Sequence, residues 1–200
     1  MFEFQKLVTH LESIEYARRS LFAVMTAERL APFFRRYASL LPDGVEVLDG
    51  GLDYVWSRIS TEKLGADQRE GSLILSQIEH LIPPEDSSEL FSAQADDAAS
   101  SLMYAIRSLY SPDPREAAWA AQRAYDTVDN FVNNLPDSTG TISKGYIDHS
   151  PLLNDELETQ RADFALAQSA DLTELVKLRS HSGQNGEELL GKFLSLIKRG

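Results

Sequence analysis

Carboxylates are the residues of this chain whose types and spacing could carry chemistry. Asp126 and Asp129 stand at i and i+3, which places both on one face of a helix. Asp155, Glu156 and Glu158 open a later helical stretch. All-α nucleotide hydrolases hold magnesium between carboxylates on facing helices, so this spacing is suggestive. It is also incomplete, and acids at a helix N-terminus are expected from the helix dipole alone. Asp96-Asp97 carries the same ambiguity. Asp148-His149 lies in a polar stretch and could titrate as a pair near neutral pH. His10, His80, His149 and His181 are at least 32 residues apart, so none has a second histidine at helical spacing with which to share a metal. They read as surface or capping residues.

The other familiar catalytic patterns are absent. The absence of cysteine removes disulfides, thiolate ligands and a cysteine nucleophile together. The chain has no glycine-rich phosphate loop, no G-x-S-x-G elbow, no His-Glu-x-x-His pair and no calcium loop. The expectation is therefore a chain that is not an enzyme, with no catalytic residues, no metal site and no cofactor.

The formal net charge is −12, and it is unevenly placed. Residues 77–163 hold 16 acids against five bases, a net of −11, while the rest of the chain is close to neutral. Such a field repels nucleic-acid phosphates and anionic lipid and attracts a basic partner. The alternative is that the charge only keeps the protein soluble. The basic residues near the C-terminus, Lys177, Arg179, Lys192, Lys198 and Arg199, are too few and too spread to form a nucleic-acid groove. The N-terminal residues lack the basic-then-apolar layout of a signal peptide, and no apolar run approaches the roughly 18 residues of a membrane span, so a cytoplasmic location is expected.

The elements that must position these residues are helices. Apolar spacing of three and four residues recurs from end to end, with no lasting period-two alternation. It predicts an all-α single domain over residues 1–200, a bundle of about eight helices. The second, from about Tyr16 to Leu40, should kink or break at Pro32. The fifth should begin at Ser87 or Ser88, with Phe91, Ala95, Ala98, Leu102, Ile106 and Leu109 inward. Glu89, Asp96 and Arg107 should then point outward, flanked by Asp97. Asp113-Pro114-Arg115-Glu116 is a strong helix start. Ser150-Pro151 opens a helix expected to extend to about Ser180, and Gly183 to Gly186 reads as a break before the last helix.

Glu28-Arg29 lies within the most apolar stretch, where charges are buried only when bonded. An ion pair fixing helix packing is the plain reading. Trp56 and Trp119 read as core.

Leu11-Glu12-Ser13-Ile14, followed by Phe22-Ala23-Val24-Met25-Thr26-Ala27-Glu28-Arg29-Leu30-Ala31-Pro32-Phe33, resembles the start of the YjaG-like family of bacterial helical proteins. Leu52-Asp53-Tyr54-Val55-Trp56 and Ala95-Asp96-Asp97-Ala98-Ala99 resemble further segments of it. The resemblance implies an all-α fold and a bacterial, intracellular setting. It implies no catalytic residue, because the family has no assigned function.

Three functional classes remain open. The first is a non-catalytic acidic module that binds a basic protein, in its sharpest form an immunity protein neutralising a nuclease-type toxin. Its contact face would comprise Glu85, Asp86, Glu89, Asp96 and Asp97, extended by Asp126 and Asp129. The second is a structural or scaffold protein, and the third is the magnesium-dependent hydrolase. Partner identity and oligomeric state are not encoded in any visible motif.

Overall fold

A computed structural model describes residues 2–61, 64–65, 68–84, 86–134 and 150–198. Among these, eight α-helices and one 3₁₀ turn account for the regular structure, with no strand. They are α1 (Phe4–Glu12), α2 (Tyr16–Ala38), α3 (Gly44–Ser60), α4 (Gln68–Glu79), α5 (Ser92–Ser108), α6 (Pro114–Asn133), α7 (Pro151–Ser169) and α8 (Leu175–Ile197). The 3₁₀ turn, Leu172–Glu174, links α7 to α8.

Helix α2 is the axis of the bundle. Every residue from Ser20 to Phe34 is buried, and α3, α5, α6, α7 and α8 all pack on it. A helix covered on every side is a core helix. Pro32 does not break it, and α2 runs on to Ala38. Packing on all flanks outweighs the lost backbone donor.

α5 and α6 meet through alanines: Ala95, Ala98, Ala99 and Ala105 on one, Ala117, Ala118, Ala121 and Ala124 on the other, all buried. Small side chains let the two backbones approach closely. Ser101 Oγ donates to the Ala120 carbonyl at 3.3 Å across that contact. A cluster of Phe33, Phe91, Phe131 and Phe193 ties α2, α6 and α8 to the start of α5, with the Phe131 and Phe193 rings stacked at 3.6 Å. One continuous set of buried apolar side chains runs from Val8 to Phe193.

Three boundaries differ from expectation. α5 begins at Ser92, not at Ser87 or Ser88. Its N-cap is Phe91 at φ 68°, left-handed backbone that a bulky residue rarely adopts. Burial of its ring among the other phenylalanines holds it there. Ser87 instead closes a local turn, its Oγ accepting from the Glu89 N–H at 3.4 Å.

α7 ends at Ser169, and the break comes at Ala170-Asp171. There the Asp171 carboxylate accepts from the Thr173 N–H at 2.9 Å, and Arg18 Nη1 donates to the Ala170 carbonyl. Gly183 to Gly186 is uninterrupted helix. By contrast, Asp113 caps α6 as predicted, accepting from the Arg115 N–H at 2.9 Å with Pro114 at the first position.

Candidate functional site

The predicted acidic face is partly assembled and partly dismantled by the fold. α5 and α6 bring Asp96, Asp97, Asp126 and Asp129 together. Asp97, however, is only 3% exposed and does not flank an outer surface. Arg123 Nη1 donates to its Oδ1 at 3.3 Å, Thr127 Oγ1 to its Oδ2 at 3.3 Å, and Asn130 Nδ2 to Oδ2 at 3.5 Å. These donors stand at i, i+4 and i+7 on α6, one face of that helix. Burial pushes the Asp97 carboxyl up to about 7; Arg123 opposes the shift, and the charges of Asp126 and Asp96 reinforce it.

The reason Asp97 turns inward is legible on the helix itself. Gln94, Asp97, Ser101, Ala105 and Ser108 form a second buried stripe beside the apolar one. Its residues are polar or small, so a reading by hydrophobicity alone leaves it outside.

The remaining acids of this group stay at the surface edge. Asp126 lies 3.7 Å from Arg123 Nη1, and partial burial raises its carboxyl, with Arg123 opposing and Asp129 reinforcing. Asp129 accepts from Asn133 Nδ2 at 3.0 Å, and Asp96 from Ser100 Oγ at 3.4 Å. Asp86 and Glu89 are exposed ahead of α5 and share no hydrogen bond or ion pair with these four. Glu85 lies outside the described residues.

Glu28 and Arg29 are both buried, but they do not pair with each other. Adjacent helical residues project about 100° apart, so each finds partners on a different side. Arg29 makes a two-point contact with Glu156, Nη1 to Oε2 and Nη2 to Oε1, and its Nε donates to Asp163 Oδ2 at 3.3 Å. Gln160 Nε2 donates to Glu156 Oε1 at 2.7 Å and to the Ala121 carbonyl at 2.9 Å. One guanidinium thus binds α2 to α7, and Gln160 carries the link on to α6. Burial raises the Asp163 carboxyl, with Arg29 opposing and Glu156 reinforcing. Among the described residues Asp163 Oδ1 has no hydrogen-bond partner.

Glu28 faces the other way. Its carboxylate accepts from Trp56 Nε1 at 2.9 Å and Arg179 Nε at 3.1 Å, and Arg35 Nη2 lies 3.6 Å from it. Arg35 Nε also reaches Asp49 at 3.0 Å, and Arg179 Nη1 reaches Asp53 at 2.6 Å. The result is an alternating row, Asp49–Arg35–Glu28–Arg179–Asp53, joining α2, α3 and α8. It borders an open groove of about 680 Å³ between α2 and α8, whose other lining residues include Val176, Glu187 and Glu188.

The carboxylates weighed for magnesium diverge. Glu156 is taken by Arg29, Asp155 accepts from Lys192 Nζ at 2.8 Å, and Glu158 pairs with Arg161. Among the described residues no group of three or more His, Cys, Asp or Glu side chains could hold a metal ion.

Residues 6–191 match the model of a family described as a protein of unknown function, DUF416. The chain belongs to the DUF416 family. The match carries no YjaG-like designation, so that resemblance stands at the level of a family of unknown function. A crystal structure of a DUF416 family protein from Shewanella baltica OS155 has the same fold, with a TM-score of 0.73 at 16% identity over 91% of this chain and 93% of that one. At that identity the likeness speaks for the fold alone. Comparison with curated proteins finds no match.

Other predicted residues of this DUF416 chain fall as follows. His10, His80 and His181 are exposed; His80 Nδ1 pairs with the Ser76 carbonyl at 2.6 Å near the end of α4, and His181 Nε2 pairs with Asn185 Nδ2 at 3.1 Å. Asp148 and His149 lie outside the described residues. Trp56 is core, whereas Trp119 is half-buried between Phe4 and Tyr104. No described helix is long and apolar enough to cross a membrane. The groove and its charge row were absent from the sequence reading, since their members come from positions 28 to 188.

Proposed function

We propose that this DUF416 chain is a non-catalytic binding module for a basic protein, in its sharpest form an immunity protein that neutralises a basic toxin. The observation that carries the reading is the charge balance at the α5–α6 contact. Among the described residues, the four carboxyl groups of Asp96, Asp97, Asp126 and Asp129 are answered there by one guanidinium, Arg123. A surplus fixed on rigid helices is suited to steering an oppositely charged partner into register. Asp97, buried and holding its proton up to about pH 7, contributes by tying α5 to α6, and contact falls to Asp96, Asp126, Asp129 and the exposed Asp86 and Glu89.

The test is capture with the tagged full-length chain from a lysate of the organism that encodes it, at low and at high salt, followed by rebinding of the purified captured protein. The expected result is a basic protein held in stoichiometric amount, released by salt, and inhibited on binding. A partner whose affinity is the same at low and high salt overturns the reading.

A further inference from the structure

We propose that the groove between α2 and α8 is a docking site for a basic, amphipathic segment of the partner protein. The inference rests on the basic-partner reading, but not on the α5–α6 surface as the contact.

The groove floor is one face of α8. Val176, Arg179, Gly183 and Glu187 follow one another at three- and four-residue steps, spanning about 17 Å of helix. The opposite wall is Glu28 and Arg35 of α2.

Its arginines are already committed. Arg35 lies between Asp49 and Glu28, and Arg179 between Asp53 and Glu28. An anionic ligand would have to displace a carboxylate to reach either one. Glu187 and Glu188, in contrast, have no cationic partner among the described residues, although both line the groove and are exposed. Around the groove, therefore, five acids face two bases, a surplus of three negative charges, and the two acids without a cationic partner among the described residues are Glu187 and Glu188. A lysine or arginine fits that deficit.

Two further features favour a polypeptide segment over a free ion. Val176 is 82% exposed at one end of the groove, an apolar contact unused within the chain. Gly183 lies in mid-helix, where glycine is unfavourable by about 1 kcal/mol relative to alanine. A Cβ there would meet nothing within 4 Å, so no internal neighbour requires the small residue. The bare backbone leaves room for the aliphatic stem of a long cationic side chain, with its head reaching Glu187 and Glu188.

The probe is a labelled helical peptide of about 16 residues, long enough to hold helical structure, with leucine and two arginines on one face. Its binding to the full-length chain is followed by fluorescence anisotropy at physiological ionic strength. Glu187→Gln combined with Glu188→Gln is expected to weaken binding about tenfold, whereas Asp96→Asn combined with Asp129→Asn changes it less than about twofold. A peptide of the same composition with its arginines scattered around the helix should bind more weakly. Equal binding of the scattered peptide, or no effect of the α8 substitutions, overturns the site. Binding that instead follows the α5–α6 substitutions overturns the groove and leaves the basic-partner reading standing. Absence of peptide binding overturns the groove, while the basic-partner reading is judged separately by the salt-dependent capture.

Discussion

Gly186 of α8 sits directly against the carbonyl of Arg29 on α2. A Cβ at position 186 would overlap that carbonyl oxygen and stand 3.1 Å from the Pro32 Cδ. The glycine that looked like a helix break is therefore a point at which α8 presses against the backbone of the core helix. Backbone atoms cannot step aside as the end of a side chain can. Gly186→Ala is expected to lower unfolding free energy by about 2 kcal/mol or more, as overpacking typically does. Gly183→Ala, with open space at its Cβ, should raise it by up to about 1 kcal/mol. Urea denaturation of the two variants checks the pair. Equal effects would mean that α8 does not dock on α2 through Gly186.

These two glycines mark what the sequence could and could not show. Helix number and type follow from apolar periodicity, and the Asp113-Pro114 start follows from its capping chemistry. The α7–α8 junction was missed because Asp171, the residue that caps the 3₁₀ turn, sits in an otherwise unremarkable polar stretch. The inward turn of Asp97 was missed because its stripe is polar and small. Glu28 and Arg29 were correctly marked as buried, but apart from Arg35, farther along α2, their partners lie on α3, α7 and α8, at separations no local pattern encodes. The α2–α8 groove depends on the same distant packing.

The Arg29 centre should behave as a unit. Arg29→Met leaves Glu156 and Asp163 buried and unpaired, a change that typically costs about 3–5 kcal/mol. Adding Glu156→Leu and Asp163→Leu removes the stranded charges, and replacing a buried ionic group with apolar side chains is often close to neutral. The triple variant is therefore expected to be more stable than Arg29→Met alone, as measured by chemical denaturation. If it is less stable than the single variant, the centre contributes favourably beyond the burial of its charges.

Asp97 gives a pH dependence with a defined sign. In the folded chain it keeps its proton up to about pH 7, against a reference value of 3.8 when exposed. Between those limits folding takes up a proton, so its contribution to stability is complete below the lower value and is lost as pH rises through the upper one. Asp97→Asn carries no ionisable group and escapes that loss. The stability difference between Asp97→Asn and the parent should therefore move in favour of the variant from pH 4 to pH 8. Denaturation curves at the two pH values test this, and an unchanged difference would show that Arg123 keeps Asp97 ionised throughout.

Charge reversal separates the two roles that acids play on this surface. Glu89 is exposed, and Glu89→Lys should change folding stability by less than about 0.5 kcal/mol, as surface substitutions usually do. Asp97→Lys would place a second cation beside Arg123 in a site closed to water, so a loss of about 3 kcal/mol or more is expected. Asp129 lies between these cases, half-buried, bonded among the described residues to Asn133 and within reach of the Asp126 charge. Asp129→Lys should relieve repulsion with Asp126 and leave the fold intact. If the α5–α6 surface meets a basic partner, both Glu89→Lys and Asp129→Lys should slow association, with the parent's rate falling toward theirs as salt is added. Thermal melts alongside association kinetics distinguish the outcomes. Reversals that leave the association rate unchanged while the melts stay intact would remove this surface from the contact and leave its charge with a solubilising role.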